Sequence, residues 1–503
     1  MTTAPHPQSA TLEKPAAALL QQVEAHALQF LLGALLIVVP LALSIRASLE
    51  QPFFLDDAMI YLQYAKNIAS GEGWTFNPGA NDHASTSALM PVVMSLFFRV
   101  ADSTESVLHS LKVFEALTTA LGVSLFYRLL CVAGIRPLAA ALAVAFMLSS
   151  RSVAAYHFFA GMETSLYLVF ISATLLAFHA RRLYAVGALT GVLYLIRPDA
   201  ILVGPILSLL DLYLHRSQGV RAWLSRWWAP GALALAVVAP WWIYFLVSKG
   251  SMLPASGEVK LLTASNWGAY WTKLPYILRE SRYCLAMGAI GALALADRRS
   301  PIFAILLPCA GLVLLYVVLG MPKAPWYYLP FALAFFTLVA VGFDEISDKL
   351  LRRSWQNWGA VALVLVVYLG ASSTGVQQIL SRGEFFATGT RKLDGGYGEA
   401  ARWIARNTHP DVTVAAGAIG YVGFHADRHI VDMVGLVEPD IARANAAGDS
   451  MYWYREHRPD YVIRMLVYAQ PLEAHYRLLQ VFGDPRFGNQ RVGVFQRMAE
   501  PPG

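Results

Sequence analysis

Charged residues are scarce in this chain. Only 14% of its 503 residues are Asp, Glu, Lys or Arg, and 56% are hydrophobic, whereas soluble globular domains carry about 25% charged residues. The composition therefore excludes an ordinary soluble protein and predicts a polytopic membrane protein. The formal net charge of +6 comes from short basic clusters between apolar segments. Because the positive-inside rule explains such clusters, we expect no nucleic-acid partner.

Cysteine is also scarce. The three cysteines, Cys131, Cys284 and Cys309, lie in or at the edge of apolar segments and lack the spacing of metal ligands. This pattern implies neither a disulfide framework nor a zinc site, and it predicts that each cysteine is a small residue that fills the core. Residues 1–27 are polar and lack the basic start of a cleaved signal peptide. We therefore expect a cytoplasmic tail followed by a retained anchor.

Long apolar stretches define a transmembrane region at residues 28–380. Most are long enough to cross a bilayer as helices, and they predict about eleven spans, with a range of about 11 to 13. The stretches are 28–46, 107–131, 137–150, 162–180, 183–196, 199–214, 229–247, 282–296, 302–320, 326–343 and 357–375. The shorter stretch 87–100 ends in Arg99, and we predict a partly inserted or membrane-parallel helix there.

The basic clusters orient this region, because short loops rich in Lys and Arg are seldom translocated. Five clusters fit one alternating topology with all of them in the cytoplasm. They lie at 128–136, 181–182, 216–226, 298–299 and 349–353. If the N-terminus is cytoplasmic and the number of spans is odd, the first outer loop, 47–86, faces outward. The connections 248–281 and 321–325 and the chain after 376 then lie on the same outer side.

The composition changes after residue 380, where apolar runs shorten and helix and strand patterns alternate. We predict a soluble α/β domain at 381–503 on the outer face, with a helix at 397–407 and four short strands. The predicted strands are 412–416, 429–434, 461–465 and 492–496. The glycines between 417 and 423 do not have Gly-x-Gly-x-x-Gly spacing, so we interpret them as turn residues and not as a dinucleotide site.

Two adjacent carboxylates, Asp56 and Asp57, follow the first apolar stretch in the first outer loop. They stand where a helix would begin, and apolar residues recur at helical spacing from there to Gly71. One interpretation is that an aspartate caps a short helix along the membrane surface. The alternative is that Asp56, partly desolvated against the bilayer, is a general base that takes a proton from an attacking hydroxyl.

Several motifs surround this pair in a fixed order. Phe-Leu-Asp-Asp-Ala starts at Phe54, and Phe-Asn-Pro-Gly ends at Gly79. Further along stand Ser-Thr-Ser-Ala-Leu (85–89), Gly-Met-Glu-Thr-Ser (161–165), Ile-Arg-Pro-Asp-Ala (196–200), Leu-Pro (253–254) with Lys260, Gly-Ala-Ile-Gly-Tyr-Val-Gly (417–423) and Val-Asp-Met-Val-Gly-Leu (431–436). In order and spacing they resemble the GT-C glycosyltransferases, most of all the branch of the mycobacterial terminal arabinofuranosyltransferase.

This resemblance implies a multi-pass enzyme of the bacterial inner (plasma) membrane with its active site and outer domain facing the periplasm. It implies a polyprenyl-phosphate sugar donor, an acidic base in the first outer loop, and contact with membrane lipid. We predict Asp56 as the base, with Asp57 as the second catalytic candidate.

Cations are needed to hold the donor phosphate and to stabilise it as it departs. We predict Arg197, Lys260 and Lys323 for this role. Each has a simpler alternative. Arg197 could pair with Asp199 or extend to the interface. Lys260 could be an ordinary solvated lysine, and Lys323 could anchor the chain at the membrane surface.

The predicted substrate-binding residues are Glu163, His83, Tyr64, Asp199 and Tyr327. Glu163 begins an apolar segment at its outer end, where it could contact sugar hydroxyls or interact with the helix dipole. His83 could line the site, although a loop histidine is often incidental. The two adjacent aspartates could also bind a divalent cation. No further acidic residues stand at the spacing of metal ligands, so we expect no cofactor.

These predictions combine into an inverting glycosyltransferase, in which an acceptor hydroxyl deprotonated by Asp56 displaces polyprenyl phosphate in one step. The resemblance favours D-arabinofuranose as the sugar, while a cell-envelope glycan, a lipid and a protein all remain open as acceptors. One alternative is a transporter or flippase of lipid-linked sugar, although no two halves show corresponding broken helices. Another is a membrane-anchored binding protein that acts through its outer domain.

Overall fold

The computed structural model consists of a helical region followed by one mixed sheet with its own helices. It describes residues 31, 33–80, 82, 84–250, 281–295, 301–320, 324–350, 377–378, 380–472 and 474–499, with six further positions between 257 and 279. The predicted apolar stretch 357–375 lies outside these residues.

The helical region follows the apolar stretches of the sequence. Its helices are α1 (Gly33–Glu50), α2 (Asp56–Ser70), α3 (Leu89–Val100), α4 (Thr104–Val132), α5 (Pro137–Ser149), α6 (Thr164–His179), α7 (Leu183–Ile196), α8 (Val203–Leu214), α9 (Gly219–Lys249), α10 (Leu285–Ala294), α11 (Phe303–Val318) and α12 (Leu329–Leu350). Each predicted stretch that falls within the described residues is mainly helical. Their apolar composition matches the predicted membrane protein.

Only some of these helices are long enough to cross a bilayer by themselves. Within the described residues, α1, α4, α9 and α12 contain a window of sufficient length and hydropathy. A fifth candidate combines α5 with the helical segment Arg151–Phe158 across a bend of 73°. Helices α3, α6, α7, α10 and α11 are apolar but shorter. The number of spans and their orientation remain predictions.

The C-terminal part of the chain, called the outer domain after its predicted location as the segment 47–86 is called the first outer loop, contains within the described residues a five-stranded sheet and five α-helices. The strands are β1 (Thr413–Ala416), β2 (His429–Asp432), β3 (Tyr461–Met465), β4 (Tyr476–Phe482) and β5 (Val492–Arg497). The helices are α13 (Arg382–Lys392), α14 (Glu399–Asn407), α15 (Ile419–Ala426), α16 (Pro439–Ala446) and α17 (Tyr452–His457). The strand order is β2-β1-β3-β5-β4, with β1 parallel to β2 and β3, and β5 antiparallel to β3 and β4.

Successive strand residues point to opposite faces of this sheet, and both faces are buried. On β1, Val414 and Ala416 belong to the large core that continues into the helical region. Ala415 between them belongs to a smaller core with Val431 and Trp453. The sheet is therefore packed between the rest of the molecule on one side and the segment containing α16 and α17 on the other.

Two predictions for this domain are wrong. The strand β4 was not predicted, because it is an edge strand with mostly exposed or half-buried residues and a register shift between Leu478 and Gln480. The glycines between 417 and 423 do not form a turn, because α15 begins at Ile419 and includes two of them. Those two glycines, Gly420 and Gly423, pack closely against the first outer loop.

The first outer loop connects the two parts of the molecule. Its helix α2 begins at Asp56, as predicted, and ends at Ser70; the next residue, Gly71, has a φ of 87° and caps the helix with its N–H. The helix packs against α3 of the helical region and against α15 of the outer domain. The predicted membrane protein with a C-terminal sheet domain is thus confirmed, and α2 lies at the junction of its two parts.

Candidate active site

The Asp56 carboxylate binds the first turn of α15. The backbone N–H of Tyr421 donates to Oδ1 at 2.9 Å and that of Gly420 donates to Oδ2 at 3.2 Å. A helix N-terminus favours a negative charge, because its first N–H groups have no partner within the helix. The N-cap residue of α2 is Leu55, and it makes no side-chain cap bond. The carboxylate of Asp56 therefore holds the outer domain and does not occupy the N-cap position of its own helix.

Glycine is required at position 420 by this close approach. A Cβ atom there would lie 1.9 Å from the carbonyl oxygen of Asp56. At Gly417, three residues earlier, the nearest atom to such a Cβ is a methyl carbon of Val434 at 4.0 Å. The two glycines of the same motif therefore differ in role, since only Gly420 brings the backbone amides within reach of the carboxylate.

Burial is the main cause that raises the pKa of Asp56 to about 7; the charge of Asp57 acts in the same direction, and the Tyr421 and Gly420 amides act against both. The Asp56 residue is half-buried, so part of it remains accessible. Its carboxyl group is near half-ionised at neutral pH, the condition in which a general base both accepts and releases a proton readily. In the outer domain, burial also raises the pKa of Asp432 to about 6.

Arg197 lies at the centre of a second, buried cluster. Its guanidinium donates to Glu163 Oε1 at 2.8 Å and approaches Asp199 Oδ1 at 3.5 Å, and the Tyr327 ring lies 5.0 Å away. Four predicted site residues thus meet in one place. Only 3% of the Arg197 side chain is exposed. Because two carboxylates already neutralise the charge of Arg197, this geometry indicates that Arg197 positions Glu163. Arg197 could bind a phosphate only if the phosphate replaced one of these carboxylates.

Tyrosines surround this cluster and connect it to α2. The hydroxyl of Tyr61 donates to Glu163 Oε2 at 3.1 Å, and that of Tyr316 donates to Asp199. The Tyr167 ring faces Arg197 at 5.9 Å, and within the described residues its buried hydroxyl has no hydrogen-bond partner. Tyr61 lies on the same helix as Asp56, so the cluster and the candidate base are held by one element.

A buried ion pair that was not predicted supports both regions. Lys112 of α4 donates to Glu115 at 2.8 Å and to the carbonyl oxygens of Phe53 at 2.5 Å and Phe159 at 3.1 Å. Glu115 accepts the N–H of Gly161 at 2.6 Å. The pair therefore ties together the two segments that lead into the candidate carboxylates. Charges inside an apolar stretch are a recognised indication of function, and these two were visible in the sequence.

Tyr64 and Asp82 hold the second half of the first loop. The Tyr64 hydroxyl donates to Asp82 Oδ1 at 2.6 Å and accepts the N–H of Ala84 at 2.8 Å. Asp82 also accepts the backbone N–H groups of Phe76 at 2.7 Å and Asn77 at 3.1 Å. These hydrogen bonds show that Tyr64 stabilises the conformation of the loop. Its predicted role in substrate binding stays a prediction.

Asn77 joins the first loop to the edge of the sheet. Its side-chain amide donates to the carbonyl oxygen of Ile430 and its amide oxygen accepts the Ile430 N–H, both at 2.9 Å. Ile430 lies in β2, the edge strand, so Asn77 satisfies both backbone groups as a neighbouring strand would. The motif Phe-Asn-Pro-Gly therefore contains a docking residue for the outer domain.

Three predicted site residues, His83, Lys260 and Lys323, lie outside the described residues. Within the part of the chain that is described, no group of three or more His, Cys, Asp or Glu residues is arranged to hold a metal ion.

Comparison with known sequences is informative for the outer domain alone. Residues 387–495 match the model of a family described as a domain of unknown function, DUF8728. A search of curated proteins finds no match.

Several solved structures share the architecture of this chain. ArnT from Cupriavidus metallidurans bound to undecaprenyl phosphate is 14% identical, with a TM-score of 0.60 over 93% of this chain and 99% of that one. The oligosaccharyltransferase of Archaeoglobus fulgidus in its apo form is 14% identical, with a TM-score of 0.60 over 89% and 73%. The mycobacterial arabinofuranosyltransferase AftD is 15% identical, with a TM-score of 0.50 over 92% and 41%. The chain therefore has the fold of these proteins, which is the fold that its resemblance to GT-C glycosyltransferases implies.

Proposed function

We propose that this protein is an inverting glycosyltransferase that takes a sugar from a polyprenyl-phosphate donor. The observation that carries the proposal is Asp56, a half-buried carboxylate in the first outer loop whose pKa lies near 7. The fold supports it, since ArnT, a protein of the same fold, has been solved with undecaprenyl phosphate bound. The arrangement fits a base that acts at neutral pH on a hydroxyl group.

In this mechanism Asp56 takes the proton of the acceptor hydroxyl as the hydroxyl oxygen attacks the anomeric carbon. Each of its carboxylate oxygens accepts one backbone N–H and retains capacity for a further hydrogen bond. The amides fix the direction of the carboxylate without occupying it fully. One displacement inverts the anomeric configuration, and polyprenyl phosphate leaves with the electron pair of the broken bond.

The second cluster would bind the sugar. Glu163 is held by Tyr61 and Arg197, and the hydroxyl of Tyr167, which has no hydrogen-bond partner among the described residues, offers a further donor and acceptor. Lys260 and Lys323 remain the proposed ligands of the donor phosphate, and Arg197 would join them only by exchanging a carboxylate for phosphate. No metal is part of this mechanism, although Asp57 beside Asp56 leaves a divalent cation as an alternative.

We infer D-arabinofuranose as the sugar and the outer face of the bacterial inner membrane as the place of reaction. Both inferences rest on the sequence resemblance. The acceptor is a cell-envelope glycan, a lipid or a protein, and the outer domain overhangs the candidate base, where it would help to bind that acceptor.

Incubation of the purified full chain with polyprenyl-phosphoryl sugars and candidate acceptors tests this proposal. We expect polyprenyl phosphate and glycosylated acceptor to form in equimolar amounts. NMR of the product should show that the anomeric configuration of the transferred sugar is inverted relative to the donor. A protein that moves the intact lipid-linked sugar across vesicles without cleaving it would be a flippase and would contradict the proposal. Retained anomeric configuration would reject the single displacement.

A further inference from the structure

An apolar groove of about 1050 Å³ lies between α8 and α11. It is lined by one face of each helix, since its residues recur three or four positions apart on both. The two helices touch at Gly311, where a Cβ atom would lie 2.5 Å from a methyl carbon of Ile206. From this contact the groove extends to Phe303 at the start of α11 and to Arg216 just after α8. The groove therefore starts at a tight helix contact and ends at a charged residue.

The sides of the groove are open to the surroundings of the helical region. Leu209 of α8 is 58% exposed and Leu314 of α11 is 63% exposed, and both line the groove. A contiguous exposed apolar surface marks a place where a protein meets another protein or a membrane. Around the apolar helices of a membrane protein the medium is hydrocarbon. We therefore expect a hydrocarbon chain to fill the groove.

Arg216 and Tyr213 indicate where the groove meets the lipid headgroups. The guanidinium of Arg216 lies 5.1 Å from the centre of the Tyr213 ring and donates to the carbonyl oxygen of Tyr213 at 3.3 Å. Both residues line the groove and both are exposed. Tyrosine and arginine are typical of the boundary between hydrocarbon and headgroups, where the apolar part of each side chain stays in the hydrocarbon. A lipid with its chain in the groove would have its headgroup at this pair.

The charge of Arg216 is available to such a headgroup. The carboxylate of α8, Asp211, is buried and already pairs with Arg181 at 2.6 Å and with Arg226 at 3.3 Å. In the part of the chain that the structure describes, no carboxylate forms an ion pair with Arg216, whose contacts are with Tyr213. A guanidinium without a carboxylate partner attracts phosphate, and near a membrane surface it favours lipids with a net negative charge.

The charged end of the groove is far from the buried cluster around Arg197. Arg197 precedes α8 and Arg216 follows it, and this helix of 12 residues is about 18 Å long. The basic cluster 216–226 is also predicted to be cytoplasmic, on the side opposite to the first outer loop. A phosphate at Arg216 would therefore belong to a lipid of the other leaflet and not to the sugar donor.

We propose that the groove between α8 and α11 binds an acyl chain of an anionic phospholipid whose phosphate pairs with Arg216. This site goes beyond the proposed function, because its ligand is a lipid of the membrane itself. The same two helices meet again at the other end of the pair, where Tyr316 of α11 donates to Asp199 ahead of α8. A bound phospholipid would therefore stabilise the helix pair that completes the buried cluster around Arg197.

The test measures binding of dioleoyl phosphatidylglycerol and dioleoyl phosphatidylcholine to the purified full chain in detergent, by native mass spectrometry. Arg216→Gln removes the cation, and Arg128→Gln is its matched control, because Arg128 is an exposed arginine of the same predicted cytoplasmic side that does not line the groove. Ala310→Trp fills the groove from its exposed edge. Its control is Ala236→Trp, on an exposed position of α9 outside the groove.

We expect the wild type to bind phosphatidylglycerol more tightly than phosphatidylcholine with the same chains. Arg216→Gln should weaken phosphatidylglycerol binding by about fivefold and remove most of this preference. Ala310→Trp should weaken the binding of both lipids by about tenfold or more. Neither control should change binding, and an excess of undecaprenyl phosphate should not displace phosphatidylglycerol from the wild type.

Three outcomes would overturn the inference. Equal binding of the two phospholipids by the wild type, unaffected by Arg216→Gln, would indicate only unspecific lipid around the helices. Unchanged lipid binding by Ala310→Trp would place the lipid elsewhere, and displacement by undecaprenyl phosphate would assign the groove to the donor lipid. Thermal melts show whether each variant is folded, and Arg216→Gln, which changes an exposed side chain, provides the test if Ala310→Trp does not fold. Specific phosphatidylglycerol binding without any sugar transfer would contradict the proposed function and leave this site intact.

Discussion

Gly420→Ala should disconnect the candidate base from the outer domain. The added Cβ would lie 1.9 Å from the Asp56 carbonyl oxygen, and real Cβ atoms do not approach other atoms closer than 3.0 Å. The start of α15 must therefore move away by more than about 1 Å, and hydrogen bonds that now measure 2.9 and 3.2 Å would exceed the length at which they remain effective. The backbone atom at the clash cannot rotate aside as a flexible side chain would.

The effect on the base can be estimated from these two bonds. A hydrogen bond to a charged group contributes about 1.5–3 kcal/mol, and one pKa unit corresponds to about 1.4 kcal/mol. Both amides favour the ionised carboxylate, so loss of even one bond should raise the pKa of Asp56 from about 7 by roughly one unit. Because the base acts when ionised, activity at pH 7 should fall by about fivefold and recover as the pH rises.

The assay is the pH profile of kcat/KM for sugar transfer, measured from about pH 5 to about pH 10. The acid limb of Gly420→Ala should lie about one unit above that of the wild type. Gly417→Ala is the matched control, since its Cβ meets nothing closer than 4.0 Å, and its profile should match the wild type. An equal loss of activity at every pH in Gly420→Ala, with the acid limb unmoved, would refute the role of the amides.

Three further predictions concern the framework of the site. Lys112→Met leaves Glu115 buried without its cation, so the free energy of unfolding should fall by about 3–5 kcal/mol. Adding Glu115→Gln to this variant should restore part of the lost stability, measured by thermal melts in detergent. If the effects of the two substitutions are simply additive, the pairing is contradicted. Asn77→Ala removes both hydrogen bonds to Ile430 and should lower the stability of the contact between the first loop and β2 by about 1–3 kcal/mol. Hydrogen exchange in β2 should then be faster, and unchanged exchange would show that Asn77 does not dock the domain. Glu163→Gln keeps the side-chain size but loses the charge that faces Arg197, and it should raise the KM for the donor more than the KM for the acceptor. A larger increase in the KM for the acceptor would show that the donor sugar does not bind at Glu163.

Much of this architecture was predictable, because long apolar stretches and strand alternation depend on local sequence. The predicted stretch 183–196 and strand 461–465 agree residue for residue with α7 and β3. The edge strand β4 was missed since its exposed residues lack the apolar alternation of a buried strand. Lys112 could have been found as a charge inside an apolar stretch.

The candidate site was predictable only in part. The pairing of Asp56 with Gly420 joins segments far apart in the chain, and no local pattern indicates which of several glycines approaches a distant backbone. Pairing of Arg197 with Asp199 was given as an alternative, whereas Glu163 and Tyr327 were predicted without a link to Arg197, and the structure shows that the four residues form one cluster. Tyr64 was predicted to bind substrate, yet its hydroxyl is engaged by Asp82 and Ala84, since hydrogen-bond partners in a loop depend on how the loop folds back.

The most direct test of the central claim is release of polyprenyl phosphate by Asp56→Asn in the presence of donor and acceptor. Asp427→Asn is the matched control, because Asp427 is an exposed aspartate of the outer domain that pairs with Lys66 at 3.3 Å. The proposed mechanism predicts that Asp56→Asn remains folded and binds polyprenyl phosphate but releases none from the sugar donor, whereas Asp427→Asn turns over like the wild type. Normal turnover by Asp56→Asn would contradict the assignment of Asp56 as the base.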